Sequence, residues 1–107
     1  MTWVIWGAAL LMMLLGSDVV WGHEAKAAYQ EAVRAYSQHR DPEALDAVTR
    51  ALSIYPNYAE AHFLLGLIAI RQNRVAEATE VFQKAVSIYP NFAEARYHVA
   101  AVLRQQH

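Results

Sequence analysis

A nine-residue segment recurs in this chain, with one substitution, at a separation of 34 residues. Residues 53–61 read SIYPNYAEA, and residues 87–95 read SIYPNFAEA. Aligning residues 25–58 with residues 59–92 needs no gap and gives 13 identical positions, and the same frame continues from residue 93 to residue 107. A fixed period of this length is typical of repeat proteins, in which each unit buries its apolar face against its neighbours.

Each repeat has the pattern of two helices. Apolar residues recur at intervals of three or four over Ala59–Gln72 and over Val75–Ile88, and the polar pair Asn73-Arg74 separates the two stretches. Pro90 follows the second stretch and ends it, because proline lacks the amide hydrogen that a helix interior needs. The sequence therefore predicts an all-α chain built from helical hairpins.

Polar residues near the helix starts suggest side-chain caps. Asn57 and Glu60 have the spacing of a capping box, with Asn57 as the cap. Asp41 precedes Pro42, which is tolerated in the first turn of a helix, so Asp41 is predicted to cap the helix that follows it.

The pattern resembles the tetratricopeptide repeat family. The residues of the second copy that stand at the family's signature positions are His62, Leu65, Gly66 and Ala69, followed by Ala78, Phe82, Ala85 and Pro90. His62 stands where the family has tryptophan, and Ala69 stands where it has tyrosine. The first copy is looser and keeps Ala44, Val48, Ala51 and Pro56. The resemblance covers residues 25–107.

The resemblance implies a short, all-α solenoid that winds as a right-handed superhelix. It would contain two helix-turn-helix repeats (25–58 and 59–92) and a closing helix (93–107), preceded by an N-terminal apolar helix. The expected domains are an apolar segment over residues 1–22 and a repeat domain over residues 23–107. An array this short buries a modest fraction of its surface. We therefore expect added stability from the N-terminal helix, a homo-oligomer or an obligate partner.

The resemblance also implies a binding surface. Members of the family bind peptides or proteins in a concave groove lined by the first helix of each pair. The implied protein-binding residues here are Tyr29, Val33, Tyr36, Phe63, Leu67, Ile70 and Tyr97. Some members hold a C-terminal carboxylate with Lys, Asn and Arg, and the corresponding Tyr29, Val33, Leu64, Tyr97 and Ala101 cannot do so. These residues suit an apolar or amphipathic segment of a partner, although self-association and packing within the chain would use the same side chains.

The N-terminal segment is strongly apolar. Trp3–Leu15 contains no charged residue, and Trp3–Trp21 would form a helix about 28 Å long, barely enough to cross a bilayer. All three tryptophans (Trp3, Trp6 and Trp21) lie toward its two ends, as interfacial anchors would. Three interpretations remain open: a membrane anchor or uncleaved signal, a cleaved signal peptide, and an apolar helix that packs on the rest of the protein.

The sequence lacks the motifs that are typical of catalytic or cofactor-binding sites. There is no cysteine, and no two of the five histidines are spaced by three or four residues. No nucleotide-binding or nucleophile motif occurs. After residue 22 the chain has nine basic and nine acidic residues, so no charge excess favours nucleic acid. We predict no enzymatic activity, no cofactor, no metal and no nucleic-acid partner.

These observations favour a non-catalytic scaffold for protein–protein interaction. We expect it to be exported to a periplasmic or other extracytoplasmic space, or anchored in a membrane through residues 3–21 with its orientation open. In that setting it would act as an adaptor or assembly factor. The alternative is a soluble cytosolic scaffold or a homo-oligomer, whose N-terminal helix docks on itself or on a partner.

Overall fold

The computed structural model describes residues 17–105, and these residues form helices joined by short turns. The helices are α1 (Ser17–Ser37), α2 (Asp41–Ile54), α3 (Ala59–Arg71), α4 (Val75–Ile88) and α5 (Ala93–Gln105). No strand occurs between residues 17 and 105. The predicted all-α repeat fold is confirmed, whereas most of the predicted apolar helix over residues 1–22 lies outside the described residues.

The helices pack as consecutive hairpins. Helix α1 packs against α2 and α3 against α4, while α3 also contacts both α1 and α2, and α5 packs on α4. Helix α4 has the bounds that the sequence predicted, and α3 ends one residue earlier than predicted. The result is an elongated molecule measuring 61 × 29 × 17 Å, as expected when each repeat contacts only its neighbours.

The turn inside each hairpin has the same backbone geometry in both repeats. His39 and Asn73, which are 34 residues apart, adopt positive φ angles of 58° and 63°. In each turn the next residue donates its amide to a carbonyl of the preceding helix: Arg40 to Ala35 at 2.9 Å, and Arg74 to Ala69 at 2.7 Å. A residue in the left-handed conformation commonly ends a helix, because it lets the following amides donate hydrogen bonds to the last carbonyl groups of the helix.

The Tyr-Pro-Asn corners between hairpins are also equivalent. Tyr55 donates its amide to Ala51, and Tyr89 donates to Ala85, both at 2.9 Å. After the corner, the ring of Tyr58 lies 5.7 Å from Tyr55. The ring of Phe92 lies 6.0 Å from Tyr89. Because both corners share one environment, α5 follows the second hairpin as α3 follows the first.

The predicted side-chain caps are wrong. Helix α3 begins at Ala59, so Tyr58 rather than Asn57 occupies the cap position, and its side chain forms no capping hydrogen bond. Asp41 is the first residue of α2 rather than its cap. Its carboxylate accepts a hydrogen bond from Arg71 at 2.7 Å instead. The backbone turns therefore start these helices, and the acid is used to join two hairpins.

The interior is built from small side chains around a few large ones. One cluster joins the first hairpin to α3 and includes Ala32, Ala35, Val48, Leu64 and Ile68. A second cluster lies between α3, α4 and α5 and consists of Ala69, Ala78, Phe82 and Val102. The two largest fully buried side chains are Phe82 and Ile68, followed by Val48. The tight approach of the helices depends on these small residues.

Gly66 is required by the packing of the second hairpin. A Cβ atom at Gly66 would lie 2.4 Å from Cε1 of Phe82. Since real Cβ contacts are not that short, the phenylalanine ring occupies the space that a side chain at residue 66 would need. In the first hairpin, Ala32 takes the equivalent position and Val48 takes that of Phe82, both fully buried in the same cluster.

Helix α1 is longer than its partner. It has 21 residues, against 14 in α2. Ile54, at the end of α2, shares a cleft with Glu24 and Ala27, so residues 17–23 extend beyond the hairpin by about 10 Å. Over residues 17–105, no helix combines the length and the apolar character needed to cross a membrane.

Candidate protein-binding surface

The seven predicted binding residues lie at repeated positions of the first helices. Tyr29, Val33 and Tyr36 are spaced by four and three residues along α1, which places them on one face of the helix. Phe63, Leu67 and Ile70 repeat this spacing along α3, and Tyr97 begins it on α5. Helix α3 contacts α1, and the rings of Phe63 and His98 bring α5 alongside α3 at 5.3 Å. We call these seven residues the first-helix surface.

Three residues of the first-helix surface are apolar and exposed. Val33 is 40% exposed, Ile70 38% and Tyr97 66%. The other large apolar side chains exposed within the described residues are Tyr55 and Tyr89 at the corners and Leu103 on α5. Within the described residues, one half of the exposed large apolar side chains therefore lies on the surface that the resemblance implied.

The other four residues are partly buried and also serve the fold. The ring of Tyr29 lies 5.1 Å from that of Tyr58. The ring of Phe63 lies 5.1 Å from that of Phe92, which is the equivalent pair one repeat later. Leu67 packs against both core clusters. These residues shape the surface, but their substitution would also disturb the packing between repeats.

Tyr36 is held by an arginine from the next repeat. The Arg71 guanidinium carbon lies 3.8 Å from the centre of the Tyr36 ring. Arg71 Nη1 donates to the carbonyl oxygen of Tyr36 at 3.0 Å and to Asp41 Oδ1 at 2.7 Å. Both charged side chains are largely shielded, with 28% and 18% exposure. This latch between the first hairpin and α3 was not found by sequence reasoning, because Arg71 lies 35 residues after Tyr36 and 30 residues after Asp41.

Two carboxylates act on one end of the first-helix surface. Burial raises the pKa of the Tyr29 hydroxyl above its ordinary value of 10.0, and the carboxylates of Glu60 and Glu94 raise it further. The same kind of burial raises the pKa of Tyr58, with smaller contributions from Glu60 and Tyr29. Glu60 and Glu94 stand at equivalent positions in the first turns of α3 and α5. Two negative charges therefore act on the Tyr29 end of the surface.

His98 belongs to an aromatic cluster under this surface. Its ring stacks on Phe82 with centroids 5.5 Å apart and meets Phe63 edge-on at 5.3 Å. It also meets Tyr97 edge-on at 5.6 Å. The ring thus acts as a packing element. In the part of the chain that the structure describes, no three acidic or histidine residues lie close enough to hold a metal ion.

The stacked hairpins and the repeated first-helix positions define a helical-repeat protein. The family model of the tetratricopeptide repeat matches residues 23–93, so the chain belongs to the tetratricopeptide repeat family. No curated protein sequence matches the chain. Membership of this family, whose fold is generally non-catalytic, makes the chain a scaffold for protein–protein interaction.

Solved structures give the same assignment. A crystal structure of MamA, which contains tetratricopeptide repeats, superposes with a TM-score of 0.74 at 26% sequence identity. That match covers 78% of this chain and 48% of the MamA chain. A second MamA structure gives a TM-score of 0.73 at 26% identity and covers 78% of this chain and 45% of the other. The chain thus spans about half the length of these structural neighbours.

Proposed function

We propose that this chain is an exported or membrane-tethered adaptor whose first-helix surface binds an apolar or amphipathic segment of another protein. The observation that carries the binding proposal is the exposure of Val33, Ile70 and Tyr97 at repeated positions of adjacent first helices. Apolar side chains gathered on one surface are typical of an interaction site. Aromatic side chains such as Tyr97 add contact area and lose few rotamers on binding.

The charge of the surface indicates what the bound segment carries. Glu60 and Glu94 act on the Tyr29 end, whereas Arg71 is already paired with Asp41. A bound segment with a lysine or arginine at the Tyr29 end and apolar residues over Val33 and Ile70 would complement this arrangement. Such a basic amphipathic segment is the partner that we expect.

The proposed location is supported by the sequence of the N-terminal segment. Trp3–Leu15 is uncharged, and the tryptophans lie toward both ends of the stretch Trp3–Trp21. Both features are typical of a segment that enters a membrane, either as an anchor or as an export signal. The basic residues begin only at Lys26, so the direction of insertion does not follow from charge.

Site-specific photocrosslinking in native cells tests the binding proposal. A crosslinker placed at residue 70 or residue 97 should capture one partner. A crosslinker at residue 89, which is also exposed but lies at a corner, should not capture it. The combined variant Val33→Ser, Ile70→Ser and Tyr97→Ala should lose this partner without a change in helicity, because all three side chains are exposed.

The matched control is the double variant Tyr55→Ala and Tyr89→Ala. It removes two equally exposed aromatic rings from the corners, with 48% and 49% exposure, and it should keep the partner. Equal loss of the partner in both variants would contradict the first-helix surface. Phe63 is unsuitable for this test, since its ring also packs on Phe82 and Phe92.

Cell fractionation tests the proposed location separately. The full chain should stay in the membrane pellet after carbonate extraction, or should be found outside the cytoplasm with its N-terminal segment removed. Release into the cytosolic fraction of a chain that still carries Trp3 would favour the soluble scaffold instead. That result would leave the first-helix surface intact as a binding site.

A further inference from the structure

A second apolar surface lies on the other side of α5. It is a cleft of about 400 Å³ between α4 and α5, lined mainly by Val86, Val99, Ala100 and Leu103, with Arg96 at one end. Leu103 is 40% exposed. The cleft is separate from the first-helix surface, because Tyr97 and its neighbours on that surface do not line it. No element within residues 17–105 covers it.

The internal repeat shows what kind of element fits this cleft. The residues 34 positions before Val99, Ala100 and Leu103 are Leu65, Gly66 and Ala69 on α3. In the preceding repeat this face of α3 receives α4, whose Phe82 ring rests directly against Gly66. Ala69 lies in the same buried cluster as Ala78 and Phe82. The cleft on α5 is therefore the open counterpart of the seat that α4 occupies on α3.

We propose that this cleft binds an amphipathic helix of a partner protein, which lies against α5 as α4 lies against α3. The two hairpins indicate the side chains that this helix carries. Fully buried alanines lie four residues before and three residues after the central residue in both second helices: Ala44 and Ala51 around Val48, and Ala78 and Ala85 around Phe82. The docked helix therefore needs small residues at these two places.

The size of its central residue follows from Ala100. Gly66 accommodates the ring of Phe82, and a Cβ there would lie within 2.8 Å of three ring atoms. Ala32, the equivalent residue in the first hairpin, is buried with the smaller Val48. Since α5 has Ala100 at this position, its cleft should accept a valine-sized side chain and reject phenylalanine, because overpacking a fitted interface is destabilising.

Arg96 sets the direction of the docked helix. It lies near the start of α5, at one end of the cleft. A helix that runs antiparallel to α5 places its C-terminal carbonyl groups at this end, and their partial negative charge attracts a cation. The side chain thus favours the antiparallel arrangement, which α4 already adopts against α3.

A peptide with the sequence of residues 41–55 is a suitable probe. It contains the small–valine–small pattern of Ala44, Val48 and Ala51. A fluorescent version should bind the purified full-length chain, as measured by anisotropy. The Val48→Phe peptide should bind about tenfold more weakly, in line with the usual penalty for overpacking. The Leu103→Glu chain, in which an exposed residue of the cleft becomes charged, should not bind either peptide.

Enlarging the cleft should reverse the preference. The Ala100→Gly chain recreates the Gly66 position and should bind the Val48→Phe peptide more tightly than the original peptide. The control Ala101→Gly introduces the same helix-weakening residue outside the cleft and should keep the original preference. The combined Val33, Ile70 and Tyr97 variant should bind the original peptide as the unmodified chain does.

Several results would overturn the proposal. These are no binding of either peptide, equal binding by the Leu103→Glu chain, or an unchanged preference in the Ala100→Gly chain. If only the combined Val33, Ile70 and Tyr97 variant lost binding, the peptide would be assigned to the first-helix surface instead. A concentration-dependent dimer that Leu103→Glu dissociates would identify a second copy, rather than a partner protein, as the occupant.

Discussion

The two complete hairpins have the same backbone but fill their interiors with different side chains. The first buries Ala32 and Val48, whereas the second buries Gly66 and Phe82 at the same positions. The turns and corners around them agree closely in their dihedral angles and hydrogen bonds. The comparison teaches that the size of one residue is matched to the residue facing it: the large phenylalanine faces glycine, and the smaller valine faces alanine.

Truncating the larger residue of each facing pair should have the greatest effect on the free energy of unfolding. Phe82→Ala should lower the free energy of unfolding by about 3–5 kcal/mol, because the ring is fully buried between α3, α4 and α5. Val48→Ala removes only two carbons and should cost about 2 kcal/mol. Urea denaturation followed by circular dichroism measures both. Equal losses would show that the two interiors are not packed as differently as the structure indicates.

Adding a methyl group at Gly66 should show whether this residue is matched in size to Phe82. Gly66→Ala should destabilise the chain by about 1–3 kcal/mol, because the new Cβ would meet the Phe82 ring. In a Phe82→Val background, which imitates the first hairpin, the same substitution should be neutral or stabilising, since alanine favours a helix more than glycine does. A double-mutant cycle measures this coupling. Additive effects would contradict the match.

The latch around Arg71 distinguishes the two hairpins at their outer surface. The residues 34 positions after Tyr36 and Asp41 are Ile70 and Val75, which cannot form the same contacts with a cation. Arg71→Ala should therefore cost about 1–2 kcal/mol through the loss of the stacking contact and the charged hydrogen bonds. Arg71→Lys should restore only part of this, because an ammonium lacks the planar fork. Thermal unfolding measures the stability of both variants. If Arg71→Lys were as stable as the unmodified chain, the positive charge alone would account for the contribution of Arg71.

The smallest expected difference concerns the aromatic pairs between repeats. Tyr29 and Tyr58 occupy the positions of Phe63 and Phe92, and only the tyrosine pair can ionise. Their pKa values are raised in the folded state. The folded chain therefore holds these protons more tightly, and the associated stability is present below pH 10 and is lost as the pH rises above it.

The control for this effect is the double variant Tyr29→Phe and Tyr58→Phe. Its stability should fall less steeply between pH 10 and pH 11.5 than that of the unmodified chain. Ultraviolet absorbance follows phenolate formation, and circular dichroism follows unfolding over the same range. Parallel stability curves for the two proteins would show that these hydroxyls are not protected by the fold.

Much of the fold could be predicted from the sequence, because the repeat carries local signals. Val75–Ile88 was predicted from apolar spacing, and Pro90 marked its end. The caps were not predictable, since Asp41 interacts with a residue 30 positions away in place of the adjacent backbone. His62 illustrates the same limit: the sequence shows it in the place of a tryptophan, and the structure shows its Nε2 bonded to the Pro56 carbonyl at 2.8 Å.

The candidate surface was predictable in position but not in exposure. The family resemblance implied all seven residues on the first helices, and their spacing fits one face of each helix. Spacing alone could not show that Tyr29 and Phe63 are covered by rings that follow the corners. The cleft on α5 was missed as well, since its outline depends on how α4 and α5 pack against each other.

The uneven lengths of α1 and α2 set how the repeat domain is presented. Residues 17–23 continue α1 beyond the hairpin as one helix, so in the anchored arrangement that we propose they would serve as a lever between the anchor and the repeat domain. Each residue inserted into that lever would turn the domain by about 100° around the axis of α1 and move it by about 1.5 Å. Insertions of one or two residues would therefore point the first-helix surface in another direction. An insertion of seven residues, which is close to two full turns, would nearly restore its original direction.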